Sequence, residues 1–186
     1  YFATSYPLGD AIPHWADKAG FDMDGAEYEQ LGRIARDNGV YLVSNAYERD
    51  PHFPGLYFQS QVVLDDAGDQ VLRYRRLVSL YAPSPHDVWE RYLDVYGIDG
   101  VFPVARTPIG NLACIASEEI LYPEIARAHG LRGAEVLLHC TSEVGSPGLT
   151  PKDIAKRARA IENMAFVVSA NTAGIDGVDI PLGSAD

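Results

Sequence analysis

The chain has 186 residues, 47% of them apolar, and 15 Lys and Arg against 26 Asp and Glu give a net charge of −11. That length suits one substantial hydrophobic core, so residues 1–186 are expected to form a single domain, while the acidic balance opposes binding to phosphate backbones and anionic lipids: no nucleic acid and no membrane is expected as a partner. Two cysteines, Cys114 and Cys140, are too few for a disulfide framework at this length and suit reduced thiols in a cytoplasmic protein.

In chain order, the N-terminus opens on Tyr1-Phe2-Ala3-Thr4 with no methionine and no basic segment leading into an apolar signal core, so an upstream segment is expected. No apolar run approaches the roughly 20 residues of a spanning helix. Residues 24–38 place Tyr28, Leu31, Ile34 and Ala35 at spacings of three and four with Gly39 just beyond, which predicts a helix with a glycine stop. Residues 40–47 and 56–64, rich in Val, Tyr and Phe and separated by Phe53-Pro54-Gly55, predict two strands. The turn sequence at residues 65–69 followed by an extended pattern at 70–74 predicts a hairpin, hence an antiparallel sheet here. Pro83 and Pro85 predict a loop, and residues 86–96 carry Val88, Tyr92 and Val95 at helical spacing up to Gly97.

Residues 101–105 and 111–116 are apolar enough for strands joined by the turn Thr107-Pro108-Ile109-Gly110. Residues 122–131 predict a helix opened by Pro123, and 134–139 a buried strand. Thr150-Pro151-Lys152-Asp153 combines an N-cap, a first-turn proline and a first-turn acid, predicting a helix to about Met164. Residues 165–170 predict one more short buried strand. Helices alternating with strands, plus a hairpin, give a two-layer α/β class with a mixed sheet. Neither an internal repeat nor an interdomain linker is evident.

The stretch from Gly110 to Glu124, with Ser117 at a strand end, Glu119 two residues later and Tyr122-Pro123-Glu124 opening a helix, resembles the nitrilase superfamily segment in which a strand delivers a catalytic cysteine. Tyr74-Arg75-Arg76 resembles that family's Tyr-Arg-Lys. Arg159-Ala160-Ile161-Glu162-Asn163, with Asn171 and Gly174 following, resembles its Arg-Ala-x-Glu-Asn helix and next strand. These pieces span about a hundred residues in the family's order. The resemblance implies a nitrilase-like α-β-β-α sandwich with mixed sheets, incomplete here at both ends because residues 180–186 stop where a further hairpin is expected. It also implies a homodimer or higher homo-oligomer, and a Glu-Lys-Cys site cleaving a small-molecule amide or nitrile without a cofactor or metal.

In that chemistry a thiolate attacks the electrophilic carbon, a carboxylate moves the proton and a lysine stabilises the developing oxyanion. Ser117 stands at the nucleophile position and Arg76 at the lysine position, so these are the two candidate catalytic residues. A hydroxyl needs a well-placed base, and a guanidinium can hold an oxyanion but cannot act as a base. The resemblance implies that the glutamate precedes Tyr1. A second glutamate of the family has no match in residues 79–87, where Asp87 and Glu90 are the nearest acids.

Each residue also has a plainer reading. Ser117 can be a small residue in a tight turn, and Arg76 can pair with Glu118, Glu119 or Glu90 as scaffolding. Glu119 and Glu124 suit bracing of turn and helix termini, and Arg159 with Glu162 a structural network behind the site. Cys114, three positions before Ser117 and hence on the other strand face, reads as a core residue, and adjacent His139 and Cys140 should face opposite ways. The histidines and cysteines show no metal-ligand spacing. Two function classes follow: a carbon-nitrogen hydrolase with an altered nucleophile, and a catalytically inactive homologue retaining fold, oligomer interface and ligand pocket.

Overall fold

The computed structural model describes residues 12–79, 83–143 and 148–171, and the chain forms two compact units, Tyr1–Ala105 and Arg106–Asp186. In the first, α1 (Ile12–Ala19), β1 (Phe21–Asp22), α2 (Ala26–Asn38), β2 (Leu42–Arg49), β3 (Phe58–Leu64), β4 (Gln70–Arg75) and α3 (Trp89–Val101) follow in chain order. The sheet runs β1-β2-β3-β4, with β1 parallel to β2 and both other pairings antiparallel. The expected hairpin is therefore β3–β4.

Helix α2 stops where the sequence predicts: Gly39 takes a left-handed conformation (φ 60°, ψ 42°) and its N–H caps the Ala35 and Arg36 carbonyls. Its Tyr28, Leu31 and Ala35 pack on Val62, Leu64 and Leu42. The helix sits close to the hairpin turn because a Cβ on Gly32 would lie 2.5 Å from the Gly68 carbonyl oxygen. Both faces of β3 are buried, the polar Gln59, Ser60 and Gln61 as well as the apolar Val62, Val63 and Leu64.

Two elements were not legible in the sequence. Helix α1 spans only 8 residues and carries Pro13 in its first turn, too short for two clear periods; it buries Ala16 against Tyr47 and Tyr57, with Trp15 and Ala19 alongside. Strand β1 has two residues. The expected strand at 101–105 is also corrected. The helix is interrupted at Gly97 (φ 61°, ψ −176°), as the glycine stop predicts, but helical turns resume and end at Val101. Val101 is buried, so its apolar side chain serves the helix, and the strand after it, β5, is only Ala105–Thr107.

In the second unit, β6 (Gly110–Ala116), a 3-10 turn (Ser117–Leu121), α4 (Pro123–Leu131), β7 (Val136–Thr141), α5 (Pro151–Asn163) and β8 (Phe166–Asn171) follow, with strand order β5-β6-β7-β8. Strands β6, β7 and β8 are mutually parallel, with Ile115 opposite His139 and His139 opposite Ser169. Parallel pairing requires crossover helices, and α4 and α5 are those helices. The cap predicted for α5 is present: Thr150 Oγ1 accepts from the Asp153 N–H at 3.1 Å and Asp153 Oδ2 accepts from the Thr150 N–H at 3.0 Å. The expected continuation at residues 180–186, and Gly174, lie outside the described residues.

Candidate active site

Ser117 follows directly on β6 and opens the 3-10 turn. Its backbone is left-handed (φ 50°), one of two non-glycine residues in that region among those described, and it is 2% exposed. A side chain in this conformation costs on the order of 1–3 kcal/mol and persists only where the surroundings impose it. Ser117 Oγ is buried and has no hydrogen bond of regular geometry among the described residues, although its hydroxyl lies near enough to the Glu118 carboxylate to influence it.

Three side chains impose the turn. Glu119, fully buried, accepts from the Ala116 N–H at 3.0 Å through Oε2. Arg159 donates Nε to the Ile120 carbonyl at 3.1 Å and a terminal nitrogen to the Leu121 carbonyl at 3.4 Å, and pairs with Glu162 at 2.5 Å. Glu119 and the Arg159–Glu162 pair thus brace the turn, as their plainer readings expect. The third is His139, 1% exposed. Its Nε2 lies 2.8 Å from the Ser117 carbonyl oxygen and its Nδ1 2.9 Å from Ser169 Oγ.

Helix α5 presents Lys152, Lys156 and Arg159 at i, i+4 and i+7, one face of the helix. Lys152 Nζ is 3.0 Å from Glu118 Oε1 and 3.4 Å from Thr141 Oγ1, and Lys156 Nζ is 2.9 Å from Glu143 Oε1. Asn171 joins in, accepting from the Glu143 N–H at 2.6 Å and donating to its carbonyl at 3.0 Å. Burial raises the Glu118 carboxyl, but the hydrogen bond from Lys152, helped by the nearby Ser117 hydroxyl, outweighs it and brings its pKa down to about 2. At neutral pH Glu118 is an ionised acceptor and a weak base.

Cys114 is fully buried, and burial pushes its thiol well above the usual range, so it is an inert core residue as its strand position predicts. His139 turns to Ser117 and Ser169 while Cys140, its neighbour along β7, is half-buried, consistent with opposite faces.

In the first unit, Arg76 follows β4 and is 8% exposed. Its N–H donates to the Gln59 carbonyl at 2.8 Å. Its guanidinium donates Nε to the Val78 carbonyl at 2.6 Å and NH1 to Gln59 Oε1 at 2.9 Å. Asp87 accepts from the Ser84 N–H at 2.7 Å and caps the 3-10 turn Pro85–Val88, and Glu90 is exposed.

Arg75 lies on the opposite sheet face in a buried ionic cluster. Glu48, fully buried, accepts from Tyr28 OH at 3.0 Å, Ser60 Oγ at 3.3 Å, Arg73 Nε at 2.9 Å and an Arg75 terminal nitrogen at 3.0 Å. Arg75 also meets Asp50 at 2.6 Å, and its guanidinium carbon lies 4.7 Å from the Phe58 ring centre and 4.8 Å from that of Tyr96. Tyr96 OH and the His52 ring complete the shell of Asp50. Burial lowers the Arg75 guanidinium's pKa, but Glu48 and its other neighbours hold it above the ordinary value.

Residues 1–185, which carry Ser117 in a strained elbow between a strand and a helix, match the sequence profile of carbon-nitrogen hydrolases. The chain belongs to the carbon-nitrogen hydrolase family. Its relatives include formamidases of Bacillus thuringiensis (strain Al Hakam) and Bacillus cereus (strain AH820), each 27% identical over 160 residues, covering 84% of this chain and 44% of theirs. Among solved structures, a carbon-nitrogen hydrolase from Helicobacter pylori G27 is 19% identical with a TM-score of 0.63, covering 89% of this chain and 54% of that one. A mutant of the amidase from Nesterenkonia sp. AN1 in complex with butyramide is 25% identical with a TM-score of 0.62, covering 88% and 59%. This carbon-nitrogen hydrolase chain spans about half the length of the relatives it matches, and its nitrilase-like α/β fold with mixed sheets is the one the sequence motifs imply.

Among the described residues no group of three or more His, Cys, Asp or Glu is arranged to hold a metal ion, and no helix is long and apolar enough to cross a membrane. Sequence reasoning missed His139 as a contact of the elbow, Ser169 as the partner of His139, and Lys152, Lys156 and Glu143 nearby. The i, i+4, i+7 basic stripe was a legible signal for the lysines. Nothing local marks His139, because its partners depend on strand register.

Proposed function

We propose that the protein is a carbon-nitrogen hydrolase of the amide type, with Ser117 as the acyl-accepting nucleophile and Arg76 as the cation opposing the oxyanion. The observation that carries this reading is the strained backbone of Ser117 at the end of a buried strand, with a buried Oγ that makes no hydrogen bond of regular geometry among the described residues. Strain of this kind concentrates at reacting positions, since it fixes a side chain before substrate arrives. Ser117 Oγ would attack the amide carbon as its proton passes to a general-base carboxylate. That proton then leaves with the amine, and water hydrolyses the ester. Arg76 remains charged throughout and opposes the oxyanion. The formamidase relatives and the butyramide-bound amidase favour short aliphatic amides over nitriles as substrates. Residues 1–186 then form one catalytic domain, in a cytoplasmic homodimer or higher homo-oligomer.

A second reading, a non-catalytic relative retaining fold, oligomer interface and pocket, is favoured by the guanidinium of Arg76, which already donates to Gln59 and Val78. Groups acting as a unit lose nearly all their effect when one is removed. The test is turnover of formamide, acetamide and butyramide by the protein and its Ser117→Ala, Ser117→Cys and Arg76→Lys variants. Turnover abolished by Ser117→Ala supports the hydrolase, and turnover appearing only in the Ser117→Cys/Arg76→Lys double variant supports the non-catalytic relative.

A further inference from the structure

We propose that His139, through its link to Ser169, is a positioning residue that sets the peptide after Ser117; the inference rests on reading Ser117 as the reactive position. The Ser117 carbonyl can only accept, so the ring nitrogen 2.8 Å away, Nε2, must carry a proton. In a neutral imidazole the other nitrogen is then an acceptor, and the Ser169 hydroxyl, 2.9 Å from Nδ1, donates to it. The ring is neutral in its setting: burial lowers its pKa, opposed by the Ser117 carbonyl, with Lys156 and Lys152 adding to the lowering and Glu143 opposing it. The Ser117 carbonyl therefore selects the tautomer, and the Ser169 hydroxyl satisfies the bare nitrogen and holds the ring in place.

Strand register makes this arrangement rigid. Ile115, His139 and Ser169 stand opposite one another on three parallel strands, so the ring is held from a buried strand and not from a loop. Because a peptide is planar and trans, fixing the Ser117 carbonyl toward His139 fixes the Glu118 N–H in the opposite direction. The same bond holds a φ of 50° that a serine would otherwise leave. Without His139 the carbonyl loses its buried donor, and the peptide is free to rotate into an unstrained conformation, displacing Oγ.

The test uses the protein with His139→Ala, His139→Gln and Ser169→Ala, the glutamine keeping an N–H donor at nearly the Nε2 position. Nitrogen NMR of the His139 ring is expected to show Nε2 protonated and Nδ1 bare at neutral pH, with the same tautomer kept in Ser169→Ala while the Nδ1 resonance shifts on losing its hydrogen bond. Crystal structures are expected to show the Ser117–Glu118 peptide rotated in His139→Ala and retained in His139→Gln. In amide turnover, His139→Ala should lower kcat about tenfold or more with KM within about twofold, and His139→Gln should recover most of it. A ring protonated on Nδ1, a Ser117 φ still near its present value in His139→Ala, or equal kcat in His139→Ala and the parent overturns the proposal. If no Ser117-dependent turnover exists, the hydrolase reading falls, while the NMR and crystallographic results still decide the role of His139.

Discussion

Replacing Glu48 by glutamine removes one charge from the most densely bonded buried group of the first unit while keeping its shape. Glu48 and Asp50 together balance Arg73 and Arg75, with Glu48 fully buried and Arg75 2% exposed. The glutamine oxygen can still accept from one guanidinium, but its amide nitrogen then faces a donor, from Arg73 or from Arg75. One positive charge is left under-compensated in a cluster with little access to water. Breaking a buried pair by removing one partner costs about 3–5 kcal/mol, and the retained oxygen places Glu48→Gln near the lower end, about 3 kcal/mol. For a chain of this size that corresponds to a fall in Tm of roughly 6–12 °C. Urea unfolding followed by circular dichroism reads it as a lower midpoint at unchanged slope. Adding Arg75→Met removes the orphaned cation, so the double variant should lose less than the sum of the single losses, with a coupling of about 1–3 kcal/mol. A Glu48→Gln loss below about 1 kcal/mol, or strict additivity in the double variant, would refute the view that charge balance holds this cluster.

Thr150→Ala removes the hydroxyl that accepts from the Asp153 N–H and should cost about 1 kcal/mol, with Thr150→Ser restoring most of it, measured by the same unfolding assay. Gly32→Ala places a Cβ 2.5 Å from the Gly68 carbonyl oxygen; the backbone clash should outweigh the gain in helix propensity and destabilise by about 1–3 kcal/mol, whereas a neutral result would mean that α2 moves freely off the hairpin. The Glu118 carboxyl is depressed to about 2 by Lys152 and Ser117 against burial, so its contribution is fully present above the ordinary carboxylate range and is lost as pH falls from about 4.5 toward 2. Because Glu118 is half exposed, screening reduces that contribution to roughly 1 kcal/mol. The stability difference between the protein and Lys152→Met should be constant above pH 5 and close toward pH 2, and a difference that persists at pH 2 would assign the effect of Lys152 to packing.

Legibility followed the range of the interactions. Gly39, the Thr150 cap, Pro123 and the β3–β4 turn are local signals, and the elements they punctuate lie where the pattern puts them. Ser117 and Arg76 stood out because an ordered set of motifs picks out their positions. The 101–105 stretch misled because a buried helical residue, Val101, has the same apolar signature as a buried strand residue. His139 and Ser169 were invisible as a pair, since thirty residues separate them and only the register of β7 and β8 brings them together. The ionic cluster was hidden for the same reason: Glu48 and Arg75 meet across three strands, and nothing near either residue signals that its charge is buried.

The turn after β6 concentrates more support than its length requires. The five residues Ser117–Leu121 are held by His139 and Arg159, which donate to their carbonyls, and by their own Glu119, which accepts from the Ala116 N–H; none of the three is more than 7% exposed. Burying such groups is unfavourable unless each is bonded, so the turn is held by a polar shell that an ordinary strand-to-helix connection does without. Glycine at position 117 would relieve the left-handed strain at once, yet the chain keeps a side chain there, the smallest one that still carries an oxygen on Cβ. Strain maintained by a buried shell around a residue that glycine would suit better is explained if the side chain itself is used. The two candidate positions therefore bear on the proposed site differently: the elbow around Ser117 has a supporting shell, whereas the Arg76 guanidinium donates to Gln59 and Val78, and it is at position 76 that the two proposed readings, hydrolase and inactive homologue, part company.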